Sequence, residues 1–121
     1  MTSASRSPSE YWQQMPSFYR ELIDRYGWNQ AAMLELVERL ARSTWADSVY
    51  PSTSHAALGL SLHEHYEDRL GASMVYLQYN GTTDTFEVIY QVGQGHTVSS
   101  ELCPRVDDPA WERILAWLRR E

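Results

Sequence analysis

The 121-residue chain contains no lysine: its ten positive residues are all arginine, set against sixteen acidic ones, for a net charge of −6. A Walker-type phosphate loop needs its lysine, imine-forming enzymes need an amine, and protein kinases need a lysine on their third strand, so these classes are excluded. Cysteine is nearly absent as well. Cys103 is the only one, which rules out an intramolecular disulfide framework and a multi-thiolate zinc or iron–sulfur site. Long apolar runs are missing too: no stretch approaches the ~18 apolar residues of a membrane span. The polar opening Met1 to Pro8 lacks the apolar run of a signal peptide. The chain therefore reads as cytoplasmic, and Asn80-Gly81-Thr82 reads as a turn rather than a glycosylation acceptor.

What remains is the composition of one globular domain, 43% hydrophobic and 21% charged. A domain of this size buries roughly two thirds of the surface its unfolded chain exposes, enough to hold a core without a disulfide or metal. Residues 1–8 read as a disordered leader and residues 9–121 as a single α+β domain. Ser7-Pro8-Ser9-Glu10 offers a helix start, with serine as cap and proline at the first helical position. Pro16 interrupts that helix, so a short turn is followed by a second segment from Pro16 to Tyr26, on which Phe18, Tyr19, Leu22 and Ile23 share a face. Gly27 is a C-terminal cap and Asn29 an N-cap for a helix striped by Met33, Leu36, Val37, Leu40 and Ala41. The stretch Trp45 to Ser54, where Asp, Pro, Ser and Thr cluster, reads as a loop.

From Ala57 the apolar period changes from 3.6 to 2, predicting four strands: Leu58 to His63, Met74 to Tyr79, Phe86 to Val92, and about His96 to Cys103. Register follows from the turns, because inward residues face inward residues. The loop Gly81 to Asp84 pairs Tyr79 with Phe86 and Leu77 with Val88. The loop Gly93-Gln94-Gly95 pairs Val92 with His96 and Tyr90 with Val98. Asp108-Pro109 then caps and opens a last helix carrying Trp111, Ile114, Leu115 and Leu118. The predicted architecture is an α+β two-layer sandwich, α-α-β-β-β-β-α, with a four-stranded antiparallel meander, two N-terminal helices and one C-terminal helix.

Catalytic patterns are sparse. His63 and His65 flank Glu64, and on a strand residues two apart project from one face, which makes them the best metal candidates, with His55 or Glu67 as a third ligand. Solvated histidines on the outer face are the plainer explanation. Cys103 lies at a strand end before a proline, with no histidine on its set of strand positions, so it is not read as a nucleophile. Gly93-Gln94-Gly95 lacks the third glycine of a dinucleotide fingerprint. The carboxylate pairs Glu64 with Glu67 and Asp107 with Asp108 are explained by a solvated turn and a cap. The chain is expected to be no enzyme and to hold no cofactor.

Charge is more informative. Residues 1–53 hold five arginines and six acids, residues 54–104 one and six, and residues 105–121 four and four, so the segments carry −1, −5 and 0. The acidic excess lies on the sheet and its loops. Such a field repels nucleic acid and steers a basic protein toward the sheet. The outer face is expected to carry Met74, Tyr76 and Ile89 amid Gln78, Gln91, Thr97 and Ser99, apolar anchors among polar groups. The candidate partner-binding residues are Met74, Tyr76, Glu87, Ile89, Gln91 and Glu101. Trp12, Trp28 and Trp45, near element ends, are either further anchors or lids on the core. By architecture and charge, the chain looks like bacterial immunity proteins, antitoxin-like inhibitors and secretion chaperones, which is a likeness of class and not of residues. The expected function is to bind and inhibit or chaperone a basic partner protein. A small-molecule or metal-binding domain using His63 and His65, and a homodimer through the same face, are the alternatives.

Overall fold

Proline places the first helices. The computed structural model describes residues 6–93 and 95–120. Helix α1 (Pro8–Trp12) opens on Pro8, where a missing N–H leaves no partner wanting. It thus starts inside the stretch assigned to the leader, of which residues 1–5 lie outside the described part. Pro16 forces the break at Gln13–Gln14, and α2 (Met15–Tyr26) follows. Gly27 ends α2 at φ 69°, where Trp28 N–H reaches back to the Leu22 carbonyl at 3.0 Å. Helix α3 (Ala31–Ala41) buries Met33, Leu36, Val37 and Leu40, the predicted stripe. Its cap position is Gln30 rather than Asn29, which packs against Gly81 in a distant turn.

The sheet has five strands rather than four, in the order β1-β2-β3-β4-β5. The extra one, β1 (Tyr50–Ser54), falls in the predicted loop. Proline, serine and threonine suggest a loop locally, yet Pro51 is tolerated because β1 is an edge strand with only one ladder to satisfy. A two-residue turn, His55-Ala56, with His55 at φ 56°, leads into β2 (Ala57–Ser61), every residue of which is buried. β2 stops before His63. The chain then makes one helical turn, α4 (Tyr66–Arg69), before β3 (Ser73–Asn80), β4 (Thr85–Val92) and β5 (Thr97–Cys103).

The first predicted register holds: Tyr79 faces Phe86 and Leu77 faces Val88. In the second hairpin Val92 N–H donates to the His96 carbonyl at 3.1 Å, but a bulge between Tyr90 and Gln91 sets Tyr90 opposite Ser99 instead of Val98. Gln94 of that loop lies outside the described residues. The slip turns Ser99, Glu101 and Cys103 to the inner face and Ser100 and Leu102 outward.

Helix α5 (Asp108–Leu118) is capped by Asp107, one residue before the predicted cap, whose carboxylate accepts Ala110 N–H at 3.0 Å. Its Trp111, Ile114, Leu115 and Leu118 join α3 and the inward residues of β2 to β4 in one core. The architecture is thus α+β, with a five-stranded antiparallel meander, N-terminal helices, and a C-terminal helix packed on the sheet. Among the described residues no helix is long and apolar enough to cross a membrane.

Core and surface leucines separate cleanly. Leu77, fully buried, is expected to lose about 2–5 kcal/mol of stability on Leu77→Ala. Leu102→Ala, at a residue 72% exposed, should stay within about 0.5 kcal/mol in urea melts of dilute protein.

Candidate functional site

With the helices packed on the inner face, the two ends of the outer face of the sheet differ. At one end Met74 is 1% and Gln91 8% exposed. Here the segment between β2 and β3 lies against the β4–β5 hairpin, with Gly93 N–H bonded to the Ala72 carbonyl at 2.8 Å. The Gln91 side chain is turned to its own hairpin, accepting from Gly95 N–H at 3.1 Å and bonding Thr97 Oγ1 at 3.3 Å. Met74 therefore does not belong to the exposed surface, and Gln91, though largely buried, reaches it only where it lines the end of the groove beside Ile89.

The other end is open. Tyr76 and Ile89 face each other across β3 and β4, and Gln78 faces Glu87. Gly59 makes room for the Tyr76 ring: a Cβ there would lie 2.9 Å from Tyr76 Cε1 and 2.5 Å from Ser52 Oγ. A groove of about 510 Å³ is lined by Trp28, His55, Tyr76, Gln78 and Ile89. A second, of about 520 Å³ and lined by Glu87, Leu102 and Thr85, shares Gln78 and Tyr79 with it. A third, of about 360 Å³, continues round Trp28 and His55 to Phe18 and Tyr26. Trp28, 44% exposed, stands where the first and third grooves meet. Its ring is 6.3 Å from that of Tyr26. Trp12 is fully buried and Trp45 packs on Trp111 with centroids 5.9 Å apart, so of these three tryptophans only Trp28 is an exposed anchor.

No strand carries a cation; the charges on the strands are Glu87 and Glu101. Glu101, drawn inward by the bulge, accepts Arg113 Nε at 3.1 Å and Nη2 at 2.8 Å, and this bond raises the guanidinium pKa further. Among the described residues Glu87 has no ion-pair partner and faces outward. Asp84 is engaged elsewhere, accepting the Tyr79 hydroxyl at 2.6 Å and lying 3.9 Å from Arg105. The hydrogen bond to Asp84 pushes the Tyr79 hydroxyl pKa up.

The histidine pair is placed differently from the strand prediction. Because β2 ends at Ser61, His63, Glu64 and His65 lie in the connection to α4, and same-face projection does not apply. Glu64, its side chain 9% exposed, turns to α1 and accepts the Tyr11 hydroxyl at 2.7 Å and Arg6 N–H at 2.9 Å. That bond raises the Tyr11 pKa. His65 Nε2 lies 3.5 Å from Glu64 Oε1. Arg69 holds the loop by donating to the His63 and Glu64 carbonyls at 3.0 and 2.8 Å. Among the described residues no three His, Cys, Asp or Glu side chains form a metal-holding group. The segment works as a joint between the β2–β3 connection and α1, a role that no spacing in the sequence signals.

Comparison with known protein families, with curated proteins and with solved structures finds no match for this chain.

Cys103 is buried, and burial first, then its contact with the Glu101 carboxylate at 3.5 Å, raises its thiol pKa. Alkylation by iodoacetamide at pH 8 should therefore run at least tenfold slower than for an exposed cysteine, and reach the exposed rate only in denaturant. Fast labelling of the folded protein would contradict this placement.

Proposed function

We propose that this chain is a non-catalytic binding domain that holds a basic partner protein on the open end of its outer sheet face, as an inhibitor or chaperone does. The observation that carries the reading is the pair of adjoining grooves, anchored by Trp28, Tyr76 and Ile89, on strands without a single cation. Aromatic anchors in desolvated pockets account for most of the binding energy of protein interfaces. An outward carboxylate without a compensating arginine adds steering and selectivity for a positive partner. Of the six residues expected at the interface, Tyr76, Ile89 and Gln91 line the first groove and Glu87 the second. Met74 and Glu101 act instead in support, by closing one end of the face and by pairing with α5. The alternative metal site draws no support from His63 and His65 in their loop positions.

The test is affinity capture from lysate of the source cell at low and high salt, followed by titration of the retained protein. A basic protein released as salt rises is expected, with its Kd raised tenfold or more by Tyr76→Ala and by Glu87→Arg. An unchanged Kd in both variants would remove this face from the interaction.

A further inference from the structure

Glu21, Leu22 and Tyr26 stand three, four and eight residues beyond Phe18 and so share one side of α2 with it. The left-handed turn at Gly27 folds Trp28 back beside them, with its N–H on the Leu22 carbonyl at 3.0 Å and its ring 6.3 Å from that of Tyr26. The opposite wall is His55, in the β1–β2 turn. A left-handed turn position favours glycine or asparagine. This one, at φ 56°, carries instead an imidazole that lines both the first groove and the third. These side chains bound the third groove, of about 360 Å³. Of the exposed large apolar side chains among the described residues, the two aromatic ones, Tyr26 and Trp28, both line it.

We infer that this third groove takes an arginine side chain of the basic partner. The inference rests on the partner-binding reading and names the side chain by which the partner is recognised. Aromatic rings such as those of Phe18, Tyr26 and Trp28 attract a cation to their faces, arginine more often than lysine. Glu21 supplies the carboxylate among the lining residues, and a planar guanidinium both stacks on a ring and meets a carboxylate with two parallel N–H donors. An apolar occupant would strip water from Glu21 with nothing in return, and an anion would be repelled by it. The chain carries a likeness of this contact at the rim. Arg25 Cζ lies 5.9 Å from the Tyr26 ring centroid, and its Nη1 lies 3.3 Å from Glu21 Oε1. Arg25 is itself exposed and does not line the groove. An exposed ion pair of this kind contributes little, so Glu21 exchanges it readily for a better-seated guanidinium.

Titration of the isotope-labelled full chain with Nα-acetyl-arginine amide, followed by NMR, is the test. The reporters are the Trp28 indole N–H and the backbone amide of Thr53, which also lines the groove. A saturable shift of both is expected, with the neutral norleucine amide at least about tenfold weaker and the lysine amide intermediate. Glu21→Gln and Trp28→Leu, at side chains outside the core, should each weaken the arginine probe about fivefold, read at Thr53 for the second. Arg25→Ala, which removes the competing guanidinium, should bind the probe at least as tightly. The proposal is overturned by the absence of any shift at decimolar probe, by an equal response to norleucine or lysine amide, or by an unchanged affinity in both Glu21→Gln and Trp28→Leu. Glu87→Arg, outside this groove, should leave the probe's affinity as it was. A captured partner that is lost on Tyr76→Ala yet indifferent to Glu21→Gln keeps the sheet face and strikes out this groove, so the two readings fail separately.

Discussion

The bond from the Trp12 indole to the Val49 carbonyl decides where everything N-terminal to the sheet can go. Trp12 is fully buried, and its N–H has no other outlet. A buried donor left unpaired costs about 1–3 kcal/mol. With α1 fixed at the β1 edge, the Pro16 break directs α2 back over the inner layer. There the Tyr19 hydroxyl reaches the Ala56 carbonyl at 3.1 Å, and burial drives its pKa far upward, so it stays a neutral donor. α3 is tied in turn to the approach to α5 by Arg39 Nη2, 2.7 Å from the Val106 carbonyl. Each of these bonds runs from a helical side chain to a carbonyl outside the helices. Together they commit the helices to one face and one edge, and the opposite face and edge are open as a consequence.

Helices α1 to α3 and α5 and the β3–β4 hairpin were legible from pattern because in them local sequence and tertiary environment agree, whereas the single turn α4 was not. Leu77 and Val88 belong to apolar series at every second residue, Val75-Leu77-Tyr79 and Phe86-Val88-Tyr90, and a four-residue turn leaves one register that buries both. β1 was not legible, since Pro51, Ser52, Thr53 and Ser54 have no apolar alternation and become a strand only because β2 offers a ladder and α1 a cover. The bulge at Tyr90/Gln91 leaves no local signature either, and it alone moves Glu101 from the outer face to Arg113. Within the candidate site, alternation placed Tyr76, Glu87 and Ile89 correctly on one side. It placed Met74 and Gln91 there too, but whether a sheet face is bare or covered depends on the path of residues 62–72. Trp28 and His55 meet only in three dimensions, one from the α2–α3 connection and one from the β1–β2 turn.

Charge shows the same distinction between counting and placing. Of the acids assigned to the sheet region, Glu64 is folded against α1, Asp84 sits by Arg105, and Glu101 is paired with Arg113. What distinguishes the outer face is less a surplus of carboxylates than the lack of any cation to offset Glu87. Exposed ion pairs contribute little to stability, commonly 0–1 kcal/mol, so Arg113 matters more for where Glu101 points than for how firmly the fold holds.

The strand order has a kinetic side. Every strand pairs only with its neighbours in sequence, so no part of the ladder waits for distant segments of chain to find each other. Closing a loop costs entropy that grows with the logarithm of its length, and sheets built from local contacts form faster than those with crossovers. The connections within the hairpins are short as well: two residues, His55-Ala56, join β1 to β2, and four, Gly81 to Asp84, join β3 to β4. The long return is left to the N-terminal helix, whose Trp12 closes the end of the row at Val49.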